Sequence, residues 1–249
     1  MATVTTDIDV ITQAKIDLAA AFRAAALHGY NEGIDNHFSL AVPGRDDRFL
    51  LNRYGPHWSE LRASDILTID LDGNVVEGEG EWETSAFVIH RGVHQSRATA
   101  RCVLHTHMPY ATAVSLTTGG FDTRISQNAM YFHGHVVSLD YGGLADAADE
   151  GLRIGGAVRE EINVVIMENH GVLVIGRDVA DAWHKLYFLE RAAEAQVLAQ
   201  STGQNLIRVA EDVATHTAAQ WAKENDKHAS HLFAAVKRRL DRENPGYAD

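Results

Sequence analysis

Two apolar runs that lead into histidines constrain this chain more than any other feature. Residues 101–104 lead into His105 and His107, and residues 163–167 are followed shortly by His170. Short apolar runs of this kind are typical of buried strands. Residues i and i+2 of a strand point to the same face, so His105 and His107 are expected to lie side by side. The sequence therefore predicts neighbouring strand ends that together present three imidazoles.

Three histidines at strand ends form a typical catalytic metal site, in which three protein ligands leave one coordination position open. We therefore predict that His105, His107 and His170 bind a divalent metal. Nitrogen ligands favour zinc, with manganese or iron as alternatives, over calcium or magnesium, which prefer oxygen. Gly171 follows the third histidine, and a glycine there permits a tight backbone turn.

Composition narrows the class of protein. The chain has 249 residues, of which 45% are hydrophobic and 22% charged, so we expect one globular domain over residues 1–249. A net charge of −12 argues against nucleic-acid binding. A single cysteine, Cys102, excludes an internal disulfide and is expected in the core. We find neither a signal-peptide pattern nor an apolar run of roughly 20 residues, and we expect a cytoplasmic protein without a membrane partner.

Helical and strand patterns alternate irregularly along the chain. Because there is no strict βαβ rhythm, we expect a mixed sheet covered by helices. Hydrophobic spacing predicts helices over residues 8–28, 85–97, 146–159, 179–200 and 208–241, a helix beginning at Pro109, and strands over 37–42, 48–52, 66–70, 74–77, 101–105, 163–167 and 172–175.

Several motifs, in order, resemble the class II aldolase/adducin family, and in particular its bacterial adducin-like branch. The resemblance implies a three-layer α/β/α fold around a central mixed β-sheet. It also implies a cyclic homotetramer with active sites near subunit interfaces, and a metal held by His105, His107 and His170. The resemblance extends from about residue 13 to about residue 200, and its motifs lie at 101–107, 113–115, 125–127, 140–141, 168–173 and 187–192.

The chain departs from the sugar-phosphate aldolases of that family at two places. Those aldolases carry a proton-moving glutamate four residues before the histidine that matches His90, and here that position is Ala86. Glu83 is close by but lies too early to be matched with it. The phosphate-binding Gly-Asn-x-Ser segment is replaced by residues 36–39, Asn-His-Phe-Ser, and the Thr-Pro-Ser-Gly turn by residues 52–55, Asn-Arg-Tyr-Gly.

An intact metal site without the glutamate or the phosphate cradle predicts a metal-dependent carbon–carbon lyase on a small, non-phosphorylated, anionic substrate. We favour decarboxylation of a hydroxylated aromatic or heteroaromatic carboxylate, because a Lewis-acid metal can stabilise the developing charge without a strong base. Two decarboxylases of hydroxylated pyridine and phthalate carboxylates resemble the same family. We predict His37 as the catalytic residue and as a substrate contact, with Asn52, Arg53, Tyr54 and Gly55 as further substrate-binding residues.

Three alternative functions stay open. The first is an aldolase acting on a non-phosphorylated aldol, with Glu83 or a histidine as base. The second is an iron-dependent oxygenase on the same scaffold. The third is a non-catalytic module like the adducins, which share the Asn-His-x-Ser segment. Retention of all three histidines favours an enzyme, because a binding module does not need them.

Overall fold

A mixed eight-stranded sheet forms the middle of the protein, as predicted. The computed structural model describes residues 9–145 and 148–249. The strands are β1 (His37–Ala41), β2 (Arg48–Asn52), β3 (Ile66–Asp70), β4 (Val75–Glu77), β5 (Cys102–Thr106), β6 (Val136–Leu139), β7 (Val164–Met167) and β8 (Gly171–Gly176). Their order in the sheet is β4-β3-β2-β1-β5-β8-β7-β6. Neighbouring strands are antiparallel, except for β6 and β7, which are parallel.

Helices cover both faces of the sheet, which confirms the three-layer α/β/α expectation. They are α1 (Val10–His28), α2 (Thr84–Ser96), α3 (Pro109–Ser115), α4 (Gln127–Met130), α5 (Ala148–Ala157), α6 (Val179–Ser201) and α7 (Glu211–Glu243). α1, α3, α6 and α7 pack on one face, and α2 and α5 pack on the other. Predicted helical residues 8, 146 and 147 lie outside the described residues. Among the described helices, none has the length and hydrophobicity to cross a membrane.

Alternation along the central strands decides which layer each side chain enters. On β5, the predicted core thiol Cys102 is fully buried and packs with Leu104 in the α1 and α6 layer. Val103 points the other way and packs with Ile89 of α2 and Ile154 of α5. Because side chains two apart share a face, His105 also faces the α2 and α5 layer. The metal-site candidate therefore forms on that side of the sheet.

A buried carboxylate fixes the segment that follows His107. Pro109 opens α3 and has no N–H to satisfy, a favourable arrangement at a helix start. The next two N–H groups, of Tyr110 and Ala111, both donate to the carboxylate of Glu190 on α6, at 2.9 Å each. Glu190 is 4% exposed. The motif at residues 187–192 therefore ties the end of β5 to the long helix behind it.

Replacing Glu190 with alanine should lower the free energy of unfolding by about 1.5–3 kcal/mol, because two buried N–H groups lose a charged acceptor. Urea denaturation followed by circular dichroism measures the change. The control is Glu194→Ala on the same helix, where loss of the ion pair with Arg191 should cost under about 1 kcal/mol. Equal effects in the two variants would show that Glu190 is not a structural cap.

Candidate metal centre

Three histidine rings meet where β5 ends and the β7–β8 hairpin turns. His105 is in β5, His107 follows that strand, and His170 is in the turn between β7 and β8. One nitrogen from each ring lies within 4.8 Å of the other two. The ring centroids are 5.0, 4.9 and 4.7 Å apart. The structure thus brings together all three histidines that the sequence predicts as ligands.

The turn that carries His170 depends on two unusual backbone positions. Met167 pairs with Gly171, so only three residues connect the strands. Asn169 has a φ of 58°, in the left-handed region that asparagine tolerates better than most residues. A Cβ on Gly171 would lie 2.7 Å from both the His107 ring and the Thr106 carbonyl oxygen. Residue 171 must be glycine because the turn approaches β5 closely at this position. The left-handed backbone conformation occurs two residues earlier, at Asn169.

Hydrogen bonds at the Nδ1 atoms orient two of the rings. His105 Nδ1 donates to the Val172 carbonyl oxygen at 3.0 Å, which leaves its Nε2 with a free lone pair. His107 Nδ1 contacts the carboxylate of Glu32, a histidine–carboxylate pairing typical of metal ligands. His107 Nε2 is buried and has no hydrogen-bond partner among the described residues. An unpartnered buried nitrogen between two other imidazoles fits a metal ligand.

Burial keeps the rings of His105 and His170 uncharged. It lowers the pKa of His170 to about 4, with repulsion from His107 acting in the same direction. The pKa of His105 is also lowered by burial, well below its usual range, with His37 adding to the effect. A metal binds neutral imidazole, so these rings are ready for ligation at neutral pH without first losing a proton.

His37 lies directly beside the three histidines. The β1–β5 register pairs it with His105, and the two rings stack with centroids 4.8 Å apart. Its Nδ1 is 2.7 Å from Nε2 of His90 on α2. Burial lowers the pKa of His37 to about 3, although the nearby Glu83 carboxylate opposes this. The predicted catalytic residue is therefore a buried, neutral ring next to the candidate metal site.

The predicted substrate residues Asn52, at the end of β2, and Arg53, directly after it, do not share one face. Leu50 packs in the α1 layer, so Asn52, two residues along the same strand, also faces that layer, away from His37. Ser39 pairs with Leu51. The same register, continued past the strand end, would place Arg53 on the His37 side. The structure therefore separates Asn52 from the histidines.

Arg53, Tyr54 and Gly55 follow β2 in a loop near the site. The Arg53 guanidinium is paired with Asp65 at 2.8 Å, so its charge is already neutralised. The Tyr54 hydroxyl donates to Asp35 at 3.4 Å, and the side chain is 41% exposed. Gly55 has a φ of 109°, which favours glycine. Of these residues, Tyr54 has the exposure and hydroxyl group of a substrate contact.

The position of the missing glutamate is closed by apolar packing. Ala86 is 2% exposed and packs with Phe49 and Leu51. Glu83 caps α2 by accepting hydrogen bonds from the Ser85 and Ala86 N–H groups, each at 2.9 Å. Burial would raise the pKa of Glu83, but these bonds outweigh it and the pKa is lowered. An ionised carboxylate already used as a helix cap is a weak base.

Four residues near the centre were not predicted from sequence. Glu32, the partner of His107, is in a loop before β1, where no periodic pattern singles it out. Tyr141, Glu150 and Arg153 line a cleft together with His170. The Tyr141 and His170 rings are 6.4 Å apart. Tyr141 belongs to the family motif at 140–141, which was the available signal for it.

A three-layer fold with a three-histidine cluster at the strand ends defines the class of protein. The family model described as "Class II Aldolase and Adducin N-terminal domain" matches residues 16–197. The chain belongs to the class II aldolase and adducin family, as its motifs predicted.

Relatives include both bacterial and animal proteins. A Caulobacter vibrioides protein named "Putative aldolase class 2 protein" is 34% identical over 239 residues, which cover 95% of this chain and 92% of that protein. Human beta-adducin is 28% identical over 92% of this chain but only 33% of its own length. The crystal structure of an aldolase II superfamily protein from Pseudomonas syringae has a TM-score of 0.90 at 32% identity and covers 97% of both chains.

Glu32→Gln should weaken metal binding about 10- to 100-fold, because glutamine cannot supply the negative charge that supports His107 as a ligand. Competition with a zinc-binding dye measures the affinity of the purified protein. Glu224→Gln, an exposed acid on α7, is the control with the same charge change. An unchanged zinc affinity in Glu32→Gln would remove Glu32 from the centre.

Proposed function

We propose that the protein is a divalent-metal-dependent carbon–carbon lyase that decarboxylates a small hydroxylated aromatic or heteroaromatic carboxylate. One observation carries the proposal: a three-histidine cluster lies against the buried ring of His37, while the family's glutamate position is the buried methyl group of Ala86. The ligand set is suited to metal chemistry, and no carboxylate occupies the position of the family's glutamate.

His105, His107 and His170 would hold the metal, with zinc as the first choice and manganese or iron as alternatives. A bound divalent metal supplies Lewis-acid stabilisation of the negative charge that develops as the carboxylate leaves. The unpartnered His107 Nε2 and the neutral state of His105 and His170 support this assignment.

The surroundings of His37 favour decarboxylation over aldol chemistry. In the sugar-phosphate aldolases that the chain resembles, a glutamate moves the proton during aldol cleavage. Ala86 cannot do so, and Glu83 is engaged as a helix cap. Decarboxylation instead leaves an electron pair on the substrate carbon and requires one delivered proton. His37 lies within reach of a substrate beside the three ligands and is the group that would carry that proton.

Substrate contacts would come from the loop after β2. Tyr54 is exposed and carries a hydroxyl group, and Gly55 keeps the backbone accessible beside it. Arg53 would release Asp65 and bind a substrate carboxylate in its place. Arg153, in the cleft with His170, is paired with Glu150 at 2.6 Å and would be a further cation for an anionic substrate only by exchanging that partner. Because Asn52 faces the α1 layer, we propose that it supports this loop and does not contact the substrate.

A homotetramer would cover apolar surface beside the centre. Tyr141, Leu144 and Leu152 are 51%, 83% and 68% exposed. The cleft that contains His170 includes Tyr141, so a subunit contact on these residues would enclose the site from that side. Exposed apolar patches of this kind mark interaction surfaces.

Leu144→Glu should shift the protein from tetramer towards smaller species, because a buried charge in a subunit contact is costly. Light scattering coupled to size exclusion measures the mass. Ile207→Glu, which alters a residue that is 88% exposed and far along the chain, is the control and should leave the mass unchanged. A Leu144→Glu protein of unaltered mass would contradict a contact at this surface.

The proposed activity should appear as CO2 release from ortho-hydroxylated benzene- or pyridine-carboxylates. A chelator should abolish it and added zinc, manganese or iron restore it. His107→Ala should be inactive, and His37→Gln should lower kcat by about 10²- to 10⁴-fold, the usual range for a positioned proton-transfer group. The substrate panel is assayed in parallel for CO2, aldehyde and oxygen uptake.

The alternatives predict different readings in that panel. Aldehyde without CO2 identifies an aldolase, and oxygen uptake by iron-containing protein identifies an oxygenase. Protein that binds no metal and yields no product fits an adducin-like module. Full CO2 release by metal-free protein would refute the proposed lyase.

A further inference from the structure

A chain of hydrogen bonds leads from the metal centre into the layer of α2. His37 Nδ1 is 2.7 Å from His90 Nε2, and His90 Nδ1 contacts the hydroxyl of Ser39. The same hydroxyl is 2.7 Å from His94 Nε2. His94 Nδ1 lies 2.7 Å from the Ala100 carbonyl oxygen, which is the last group in this series of hydrogen bonds.

Local structure explains why these groups alternate. His37 and Ser39 are two apart on β1 and share the face that α2 covers. His90 and His94 are four apart on α2 and share one side of that helix. The strand pair and the helix pair therefore interleave. His90 and Ser39 are fully buried, so water does not compete for their hydrogen bonds.

The Ala100 carbonyl determines which atom donates in every hydrogen bond of this series. A carbonyl oxygen only accepts, so His94 Nδ1 must donate its proton there. Burial lowers the pKa of His94 to about 4, which leaves its Nε2 as a bare acceptor. The Ser39 hydroxyl consequently donates to His94 and accepts from Nδ1 of His90. His90 Nε2 is then an acceptor, and His37 must donate to it from Nδ1.

We propose that Ser39, His90 and His94 are positioning residues that lock His37 in its Nδ1–H form, with the Nε2 lone pair presented beside the metal centre. Among the described residues, Nε2 of His37 has no hydrogen-bond partner. The ring stacks on His105, so a molecule bound at the three ligands would meet this nitrogen. An acceptor at that place selects substrates that offer a hydroxyl hydrogen.

The consequence for chemistry rests on the proposed lyase function. In the Nδ1–H form that the hydrogen bonds impose, His37 has no proton on Nε2, so the proton it delivers must first come from the substrate. The hydroxyl O–H bond breaks, its electron pair stays on oxygen, and the proton forms an N–H bond at Nε2. When the carbon–carboxylate bond breaks, CO2 leaves and the electron pair stays on carbon. That carbon takes the proton from Nε2, and solvent reprotonates the product oxygen.

NMR of the histidine ring nitrogens tests the lock without any assay of activity. In the metal-free protein, His37 should show a single Nδ1–H form. Ser39→Ala should populate both forms, and Ser39→Thr, which keeps the hydroxyl, should restore one. Thr68→Val removes a buried hydroxyl from β3 and should leave His37 unchanged. If Ser39→Ala fails to fold, the wild-type spectrum still decides, since an Nε2–H form of His37 overturns the proposal.

Ligand selection provides the second measurement, on the zinc-loaded protein. The wild type should bind ortho-hydroxybenzoate at least about 10-fold more tightly than its O-methyl ether, because the ether leaves the buried acceptor unpaired. Ser39→Ala should lose most of that preference while retaining its zinc. Equal preference in both proteins would refute the positioning role. If His37 has the Nδ1–H form but the protein releases no CO2, the lyase proposal is refuted. The positioning role of Ser39, His90 and His94 is then still supported.

Discussion

The antiparallel pairing of β1 with β5 is the constraint on which the rest of the site depends. It sets His37 opposite His105 and turns both rings toward α2 and α5. A shift of one residue would send one of these rings into the opposite layer, because side chains alternate along a strand. The β5–β8 pairing adds the carbonyl of Val172, which orients His105. Position and orientation of the centre therefore both follow from strand register.

Burial and hydrogen bonding together set the charges of the ionisable groups at the centre. Burial keeps the imidazoles of His105 and His94 uncharged, which suits ligation and a directed series of hydrogen bonds. The carboxylate of Glu83 accepts hydrogen bonds at the start of α2, which lower its pKa, and the exposed carboxylate of Glu32 contacts the ring of His107. The centre thus combines neutral nitrogen donors with two anchored negative charges. A bound cation would be attracted by both without displacing either.

Much of this arrangement was predictable from the chain alone. The strands, the long helices and the three histidines follow from apolar periodicity and spacing, which are local signals. The orientation of Asn52 was not predictable, because the face it occupies depends on pairing with strands elsewhere in the sequence. Glu32 was also missed, since a loop residue acquires its partner only through tertiary structure. The role of Gly171 as a contact point became clear only from the closeness of His107.

The pairing of β1 with β5 also bears on how the protein folds. These strands are separated by β2, β3, β4 and α2 along the chain, so their contact is non-local. Non-local strand pairing carries a large loop-closure entropy and forms slowly. The imidazoles are therefore scattered in the unfolded chain and converge only when the middle of the sheet closes. A metal ion that binds the closed site would then stabilise the finished protein by mass action.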